Sequence, residues 1–260
     1  MTWQTLQEHE AHYLPFFQDD YRRKSLERLA QRFVTGRRVL EVRCLTGHLA
    51  VELAQRGFEV TALDGLSEAV SSANAYGRSR GLTYDITRPW DLEHLTEAVA
   101  GAQFDTVICL DTLPHVPDDK AFLKQLHQVV APGGRLILNG PAFPGLHGRR
   151  DAALGHLRRY TRGSFRALVA SHGFELEVLR WWNFTGLPLY ALLEGLLRVE
   201  VKEGLRHGRR GAVNRVTSRL LRSWYLAVEN HVRFPLGLSL LAVARRTGTD
   251  GGAGKHRERG

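Results

Sequence analysis

The chain of 260 residues is 43% hydrophobic and 24% charged, which is typical of a globular protein and excludes an intrinsically disordered one. Its formal net charge is +9, and only five of the 36 basic residues are lysines. Arginine binds carboxylate, phosphate and sulfate groups through paired hydrogen bonds, so this composition suits an anionic substrate or partner. A solvated basic face is the simpler alternative.

Targeting and metal-binding signals are absent from the sequence pattern. The first 20 residues lack the basic-then-apolar order of a signal peptide. The most apolar run, 184–201, is interrupted by Glu194 and Arg198 and does not predict a membrane span. The two cysteines and twelve histidines have no metal-ligand spacing, so no metal is assigned. We expect a cytoplasmic protein, and a nucleic-acid partner is disfavoured because no binding motif accompanies the basic residues.

Predicted helices and strands alternate from residue 19 onwards. Apolar residues at helical spacing predict a helix over 19–34 that is capped by Asp19 or Asp20. Short apolar, β-branched runs predict seven strands, over residues 38–42, 59–64, 82–86, 104–110, 135–139, 175–180 and 238–244. Further helices are predicted over 46–56, from a cap at Ser67, over 118–130, and from Thr161 to Gly173. This alternation predicts a doubly wound α/β fold with a mainly parallel, seven-stranded sheet.

A long helical insert separates the last two predicted strands. Its leucines recur at helical spacing with arginines between them, which suits packing on its own domain, a substrate lid, a membrane-surface helix, or an interface for a homo- or hetero-oligomer. The predicted organisation is an N-terminal helical cap (1–34), an α/β core (35–182), the insert (183–236), a final core strand (237–246) and a disordered tail (247–260).

The segment after the first predicted strand has the pattern of a cofactor-binding turn. A hydrophobic strand contains Glu41, and a tight turn then opens a helix, as in α/β proteins that bind nucleotides. Glycine is preferred in such turns because it accepts positive φ and lets a ligand lie against bare backbone. Here Arg43 and Leu45 occupy two of these positions, and only Gly47 remains. An ion pair between Arg43 and Glu41 would pair the charges of this turn with each other, without a ligand.

Four blocks in order resemble the class I S-adenosylmethionine-dependent methyltransferase family, and the last resembles its bacterial small-molecule members. They are VLEV…TGHLAVELAQRGFEVTALD, FDTVICLDTLPHVPD, APGGRLILNGP and HLRRYTRGSFRALVASHGFELEVLRWWNF. The resemblance covers about residues 35–183 and the returning strand near 238–245. It implies a methyltransferase-like Rossmann fold and S-adenosylmethionine as cofactor, whereas the glycine-poor loop opposes close approach of that ligand.

The resemblance also implies roles for individual residues. Glu41 would lie beside the methionine part of the cofactor, and Asp64 would accept both ribose hydroxyls. His115 stands where members often have a histidine near the transferred methyl, which makes it a candidate base. The remaining implied cofactor contacts are Gly47 in the turn, Asp85 and Ile86 at the adenine, and Leu110 and Asp111 in the cleft.

Basic and aromatic residues follow the fifth predicted strand, at the sheet edge where α/β proteins bind ligands. They suit an anionic, partly planar small-molecule substrate. These residues are His147, His156, Arg158, Arg159 and Tyr160. The candidate catalytic residues are therefore His115, Arg43, Arg158 and Tyr160.

Three functions agree with this pattern. The first is S-adenosylmethionine-dependent methyl transfer to a small biosynthetic molecule with an altered cofactor loop. The second is reuse of the cleft for cofactor-independent cyclisation, elimination or rearrangement of an anionic intermediate. The third is a non-catalytic subunit that stabilises a partner through the insert.

Overall fold

A computed structural model describes residues 20–91, 94–196 and 219–248. Seven strands form one sheet in the order β3-β2-β1-β4-β5-β7-β6, in which β7 alone runs antiparallel to its neighbours. The strands are β1 (Arg38–Val42), β2 (Glu59–Asp64), β3 (Thr87–Pro89), β4 (Phe104–Cys109), β5 (Val130–Pro141), β6 (Phe174–Trp182) and β7 (Ser239–Arg246). The predicted doubly wound α/β fold is confirmed.

Helices cover both faces of this sheet, and the buried apolar residues form two large clusters. They are α1 (Tyr21–Gln31), α2 (His48–Gln55), α3 (Ser67–Ser79), α4 (Leu95–Ala98), α5 (Asp119–Val129), α6 (Arg149–Ala153), α7 (Arg162–Ala170) and α8 (Leu187–Tyr190). Short 3-10 turns cover Leu113–His115 and Pro144–Leu146, and π-helical turns cover Ala191–Leu196 and Tyr225–Glu229. Within the described residues, no helix combines the length and apolarity needed to cross a membrane.

Several local predictions are confirmed by the capping geometry. The Asp20 carboxylate accepts from the amides of Arg22 and Arg23 at the start of α1. Thr161 caps α7 by accepting from the Ser164 amide at 2.9 Å. Capping fixes where these helices begin because the side chains satisfy amides that have no partner inside the helix.

Two local predictions are wrong. Strand β3 is Thr87–Pro89, not 82–86, because the residues that pair with β2 come directly after the apolar run at 82–86. Ser67 does not cap α3, because Leu66 is the N-cap and the Ser67 hydroxyl donates to Glu68 instead. The Leu66 amide donates to Asp64 Oδ1 at 3.0 Å, so the side chain at the end of β2, and not Ser67, satisfies the amide before α3.

The described ends of the insert are anchored to the core by buried polar contacts. The Asn230 side chain donates to the carbonyl of Ser25 in α1 at 2.8 Å and accepts from Trp182 Nε1 at 3.2 Å. The Glu229 carboxylate, which is fully buried, accepts from the Thr185 amide at 2.7 Å. These contacts join α1, the end of β6 and the Tyr225–Glu229 turn.

The insert's middle, 197–218, lies outside the described residues, as do the N-terminal segment 1–19 and most of the predicted disordered tail. The described insert residues include exposed Leu192, Leu196, Leu220 and Trp224. An oligomer interface on the insert stays a prediction.

Replacing Asn230 with alanine should lower the free energy of unfolding by about 2 kcal/mol, because Trp182 Nε1 and the Ser25 carbonyl lose their buried partner. Urea unfolding followed by tryptophan fluorescence measures the effect. Ser79→Ala, which removes an exposed hydroxyl, is the control and should change stability little. Equal stability of both variants would contradict the anchoring role of Asn230.

Candidate functional site

The turn after β1 has left-handed backbone at three alternate residues. Arg43, Leu45 and Gly47 have φ of 61°, 51° and 69°. A Cβ on Gly47 would lie 2.6 Å from the Cβ of Ala73, so glycine is required there for space as well as conformation. The turn keeps the glycine geometry without two of its glycines, at a cost on the order of 1–2 kcal/mol for each replaced residue.

Asp64 holds this turn in place. Its Oδ2 accepts from the Leu45 amide at 2.7 Å, and its Oδ1 accepts from the Leu66 amide at 3.0 Å. The amides of Arg43 and Cys44 both donate to the Leu63 carbonyl, at 2.8 and 3.1 Å. The end of β2 therefore compensates for the strained conformation of the turn.

The side chains that replace the two glycines point to different parts of the carboxyl edge. Leu45 is 1% exposed and forms a small apolar cluster with Leu66 and Ala69. Arg43 is also buried, and its guanidinium donates to the main-chain carbonyl of Asp111, just after β4. Its charge lies close enough to His115 to lower the pKa of that imidazole. The long arginine thus spans the sheet edge from β1 to β4.

Two arginines of α1 complete a buried charge cluster at this edge. Arg23 Nη2 lies 3.9 Å from Glu41 Oε1, and Arg23 Nη1 lies 3.8 Å from Asp111 Oδ2. Arg22 Nη2 lies 3.9 Å from the same Asp111 oxygen. The Asn139 amide donates to Asp111 Oδ1 at 2.7 Å and so fixes that carboxylate. Burial alone would raise the pKa of Asp111, but Arg22, Arg23 and Asn139 outweigh it and lower the pKa below its usual value.

Glu41 and Arg23 have unused hydrogen-bonding capacity. Arg23 Nε donates to Glu27 at 2.9 Å, but both terminal nitrogens of Arg23 are buried without a hydrogen bond. Among the described residues, the buried Glu41 carboxyl has only the backbone amide of Ala50 as a hydrogen-bond partner and approaches Arg23 Nη2 no closer than 3.9 Å. The predicted ion pair of Glu41 with Arg43 is not formed as a hydrogen bond. Burial raises the pKa of Glu41 to about 8, with a further contribution from Glu27 and partial opposition from Arg23.

Asp85 and Ile86, predicted as adenine contacts at the end of the third strand, precede that strand in the structure, because β3 starts at Thr87. Asp85 is exposed and pairs with Arg78, and Ile86 is buried in the core cluster under α2 and α3. Trp90 occupies the position directly after β3, where its amide donates to the Asp64 carbonyl at 2.9 Å. Leu110, predicted to line the cleft, is 1% exposed and lies in the same cluster as Ile86.

Arg158 and Tyr160 both contact the carboxylate of Asp119 at the start of α5. Arg158 Nη1 lies 3.2 Å from Asp119 Oδ2, and the Tyr160 hydroxyl donates to the same oxygen at 2.9 Å. Burial and the neighbouring Asp119 raise the pKa of Tyr160, so the phenol stays protonated. The structure therefore gives both predicted catalytic residues a structural contact that ties their loop to α5.

A histidine pair lies at the carboxyl edge between the loops after β4 and β5. The rings of His115 and His156 meet edge to face, with centroids 4.9 Å apart. Burial lowers the pKa of His115 well below its usual value, and Arg43 and His156 add to this shift. His156 Nδ1 lies 2.9 Å from Asp151 Oδ1. Both imidazoles are neutral near pH 7.

Sequence reasoning missed Arg22, Arg23, Asp151 and Tyr190 as members of the site. Arg22 and Arg23 belong to a helix whose apolar face explained its pattern, so nothing marked them as ligands. Asp151 lies five residues before His156, and that spacing was the available signal. Among the described residues, no group of three or more His, Cys, Asp or Glu side chains is arranged to hold a metal ion.

Comparison with known proteins identifies the family. A family model described as a methyltransferase domain matches residues 11–179. Over 106 residues the chain is 35% identical to a ubiquinone biosynthesis O-methyltransferase of Pseudomonas aeruginosa, and the match covers 41% of this chain and 45% of that protein. The chain thus matches less than half the length of this curated relative. It belongs to the class I S-adenosylmethionine-dependent methyltransferase family.

Solved structures share the fold at low sequence identity. An S-adenosylmethionine-dependent methyltransferase from Mesorhizobium loti has a TM-score of 0.53 and 16% identity, over 84% of this chain and 95% of that one. The 4+2 cyclase SpnF has a TM-score of 0.55 and 19% identity, over 86% of this chain and 81% of that one. At these identities the likeness concerns the fold alone.

The raised pKa of Glu41 predicts a pH-dependent contribution to stability. Between its ordinary value of 4.5 and about 8, Glu41 is protonated when folded and ionised when unfolded. The folded state then binds more protons, so this contribution to stability falls as pH rises through that window. Glu41→Gln removes it, so the variant should gain stability relative to wild type between pH 5 and pH 8.

Urea unfolding at several pH values measures this difference. Glu59→Gln, at an exposed carboxylate paired with Arg37, is the matched control and should keep the wild-type pH profile. If the free energies of unfolding of wild type and Glu41→Gln changed in parallel with pH, the Glu41 pKa would not be raised in the folded protein.

Proposed function

We propose that this protein transfers a methyl group from S-adenosylmethionine to a hydroxyl oxygen of a small biosynthetic molecule. The family membership supports methyl transfer, and the curated relatives named for O-methylation support oxygen as the acceptor atom. The observation that carries the proposal is the buried pair of Arg23 and Glu41: Arg23 Nε donates to Glu27 at 2.9 Å, but its two terminal nitrogens and the Glu41 carboxyl oxygens have no side-chain hydrogen bond.

These atoms fit the amino-acid end of the cofactor. Buried charged groups are normally satisfied by hydrogen bonds, because desolvation without a partner is costly. An α-amino acid carries an ammonium group, which complements the Glu41 carboxylate, and a carboxylate, which complements the two terminal nitrogens of Arg23. Both side chains lie at the carboxyl edge of the sheet, beside the turn after β1, where α/β proteins bind ligands.

The nucleoside end is compatible with the altered turn. The Asp64 carboxylate lies at the carboxyl end of β2, beside this turn, where α/β proteins bind ligands, and a carboxylate suits ribose hydroxyls because it accepts their hydrogen bonds. Leu45 is packed against Leu66 and Ala69 and is not an exposed side chain standing in an open cleft. We therefore assign Asp64 to the ribose and Glu41 with Arg23 to the methionine group.

When bound, S-adenosylmethionine supplies a methyl group on a positively charged sulfur, which becomes a neutral thioether after transfer. The chain's own residues bind its two ends, and Asp111 and Asn139 hold the charge cluster at the base of the site. The proton of the acceptor hydroxyl must also be removed. His115 and His156 lie at this edge as neutral imidazoles, and proximity of a bound acceptor to such a base supplies much of the rate.

Cofactor-independent chemistry is the second candidate. The Arg43 guanidinium spans the sheet edge and could hold an anionic group, and the cyclase SpnF has the same fold. This candidate predicts that S-adenosylhomocysteine does not bind.

Calorimetric titration with S-adenosylhomocysteine tests the assignment of Glu41 and Arg23. We expect micromolar affinity and release of a proton on binding, because the ligand ammonium ionises a Glu41 that is neutral below pH 8 in the free protein. Proton release makes the measured enthalpy depend on the ionisation enthalpy of the buffer. Glu41→Gln should abolish that dependence.

Arg23→Met should weaken binding by about 30-fold or more, equivalent to ~2 kcal/mol for a truncated buried charge contact. Arg28→Met, at an exposed arginine of the same helix, is the control and should bind as wild type. No binding at millimolar ligand by a folded wild-type protein would reject the proposed function and favour the cofactor-independent candidate.

Arg43→Gly should raise the affinity for S-adenosylhomocysteine by on the order of tenfold, ~1.4 kcal/mol. Glycine adopts the left-handed conformation without strain and leaves the Asp111 carbonyl free for the ligand. Thr35→Gly, a change to glycine outside the site, controls for added chain flexibility and should leave affinity unchanged. Unchanged or lower affinity in Arg43→Gly would show that Arg43 does not limit cofactor binding.

A further inference from the structure

The loop after β5 contains a buried carboxylate with four hydrogen-bond donors. Asp151 is 1% exposed. Its Oδ1 faces His156 Nδ1 at 2.9 Å, and its Oδ2 accepts from Arg159 Nε at 2.8 Å and from the Gly148 amide at 3.0 Å. The Tyr190 hydroxyl approaches the same Oδ2 at 3.2 Å. Such a complete set of donors fixes the position of the carboxylate.

These contacts keep Asp151 ionised. Burial favours the neutral carboxyl, but the hydrogen bonds from His156 and Arg159 outweigh it and lower the pKa of Asp151 below its ordinary value. An ionised Asp151 is an acceptor only, so His156 Nδ1 must carry a hydrogen toward it. In a neutral imidazole the other nitrogen, Nε2, then holds the lone pair.

His156 is accessible, whereas His115 is not. The side chain of His156 is 17% exposed, while His115 is 5% exposed. Burial lowers the pKa of both rings, but Asp151 partly opposes that shift in His156. The charged and titratable groups that face His156 are Asp151 and Arg159 from its own loop, and Asp111 and His115 from the segment after β4.

The loop is held against the rest of the site by backbone contacts. The Leu157 amide donates to the Pro114 carbonyl at 2.7 Å, which places His156 beside the His115 turn. The backbone amide of Tyr160 donates to the Pro141 carbonyl at 2.8 Å and thereby joins the loop to the end of β5. The ring of Tyr190, from α8 of the insert, lies 4.8 Å below the Arg159 guanidinium and supports it. The insert therefore stabilises the groups that orient His156.

We propose that His156 is the general base for the acceptor hydroxyl and that Asp151, Arg159 and Tyr190 are its positioning residues. This inference rests on the proposed methyl transfer. The acceptor O–H bond breaks, its proton forms a bond to His156 Nε2, and the electron pair stays on the oxygen that takes the methyl group. The resulting imidazolium is stabilised by Asp151, and because the side chain is 17% exposed it can return the proton to solvent. His115 forms the wall against which the His156 ring packs.

The test uses 4-nitrocatechol as the acceptor probe, because its absorbance reports the ionisation of its hydroxyl. Binding should shift the pH at which the probe shows the nitrocatecholate spectrum in the wild-type protein, without any cofactor, because the bound hydroxyl exchanges its proton with His156. His156→Gln should abolish this change, and Asp151→Asn should weaken it. His172→Gln, at a histidine near the end of α7, is the matched control and should behave as wild type.

Turnover provides the second measurement. With S-adenosylmethionine and 4-nitrocatechol, His156→Gln should lower kcat by about 100-fold or more with little change in KM. Asp151→Asn should lower kcat and move the acidic limb of the pH profile to lower pH, because Asp151 raises the His156 pKa. A merely structural Asp151 would leave the position of that limb unchanged.

The outcomes separate this proposal from the proposed function. Bound S-adenosylhomocysteine with no spectral change, or with the same change in His156→Gln, would overturn the assignment of His156 alone. A spectral change that depends on His156, in a protein that does not bind S-adenosylhomocysteine, would reject methyl transfer while His156 remains a proton acceptor.

Discussion

The site depends on the hydrogen bonds between Asp64 and the turn after β1. Left-handed backbone at Arg43 and Leu45 is unfavourable for residues with a Cβ. The Asp64 carboxylate and the Leu63 carbonyl accept the amides of this turn and hold it in that conformation. Because the turn is held, the Arg43 side chain reaches the Asp111 carbonyl and α2 begins at the right place under the sheet edge. The turn therefore keeps left-handed backbone at two positions that carry arginine and leucine.

The cluster of charged residues at the carboxyl edge links ligand binding to stability. In the cluster of Arg22, Arg23, Glu41 and Asp111, the two terminal nitrogens of Arg23 and the Glu41 carboxyl are buried without a side-chain hydrogen bond. Charges buried in this way lose hydration without full compensation, which is unfavourable for stability. A zwitterionic ligand would supply the missing partners, so binding and stability are linked. Asp151, in contrast, accepts hydrogen bonds at both carboxylate oxygens, which suits a group that orients a base.

The sequence predicted the sheet and most of the helix caps, because strand β1 and the caps at Asp20 and Thr161 depend on local pattern. It also predicted His115, Glu41 and Asp64 at the carboxyl edge of the sheet, where the structure has them, while their roles stay predictions. It failed at β3, where the apolar run and the paired residues differ, and so misplaced Asp85 and Ile86. Arg23 could not be found, because its role arises from the packing of α1 against the sheet and not from spacing along the chain.

A crystal structure of the protein with S-adenosylhomocysteine tests the central claim most directly. The account predicts that the ligand ammonium lies within hydrogen-bonding distance of Glu41, about 2.7–3.2 Å, and that the ligand carboxylate contacts the Arg23 guanidinium. The turn should keep Arg43 and Leu45 in the left-handed conformation. A ligand whose amino-acid end lies away from both Glu41 and Arg23 would contradict the account.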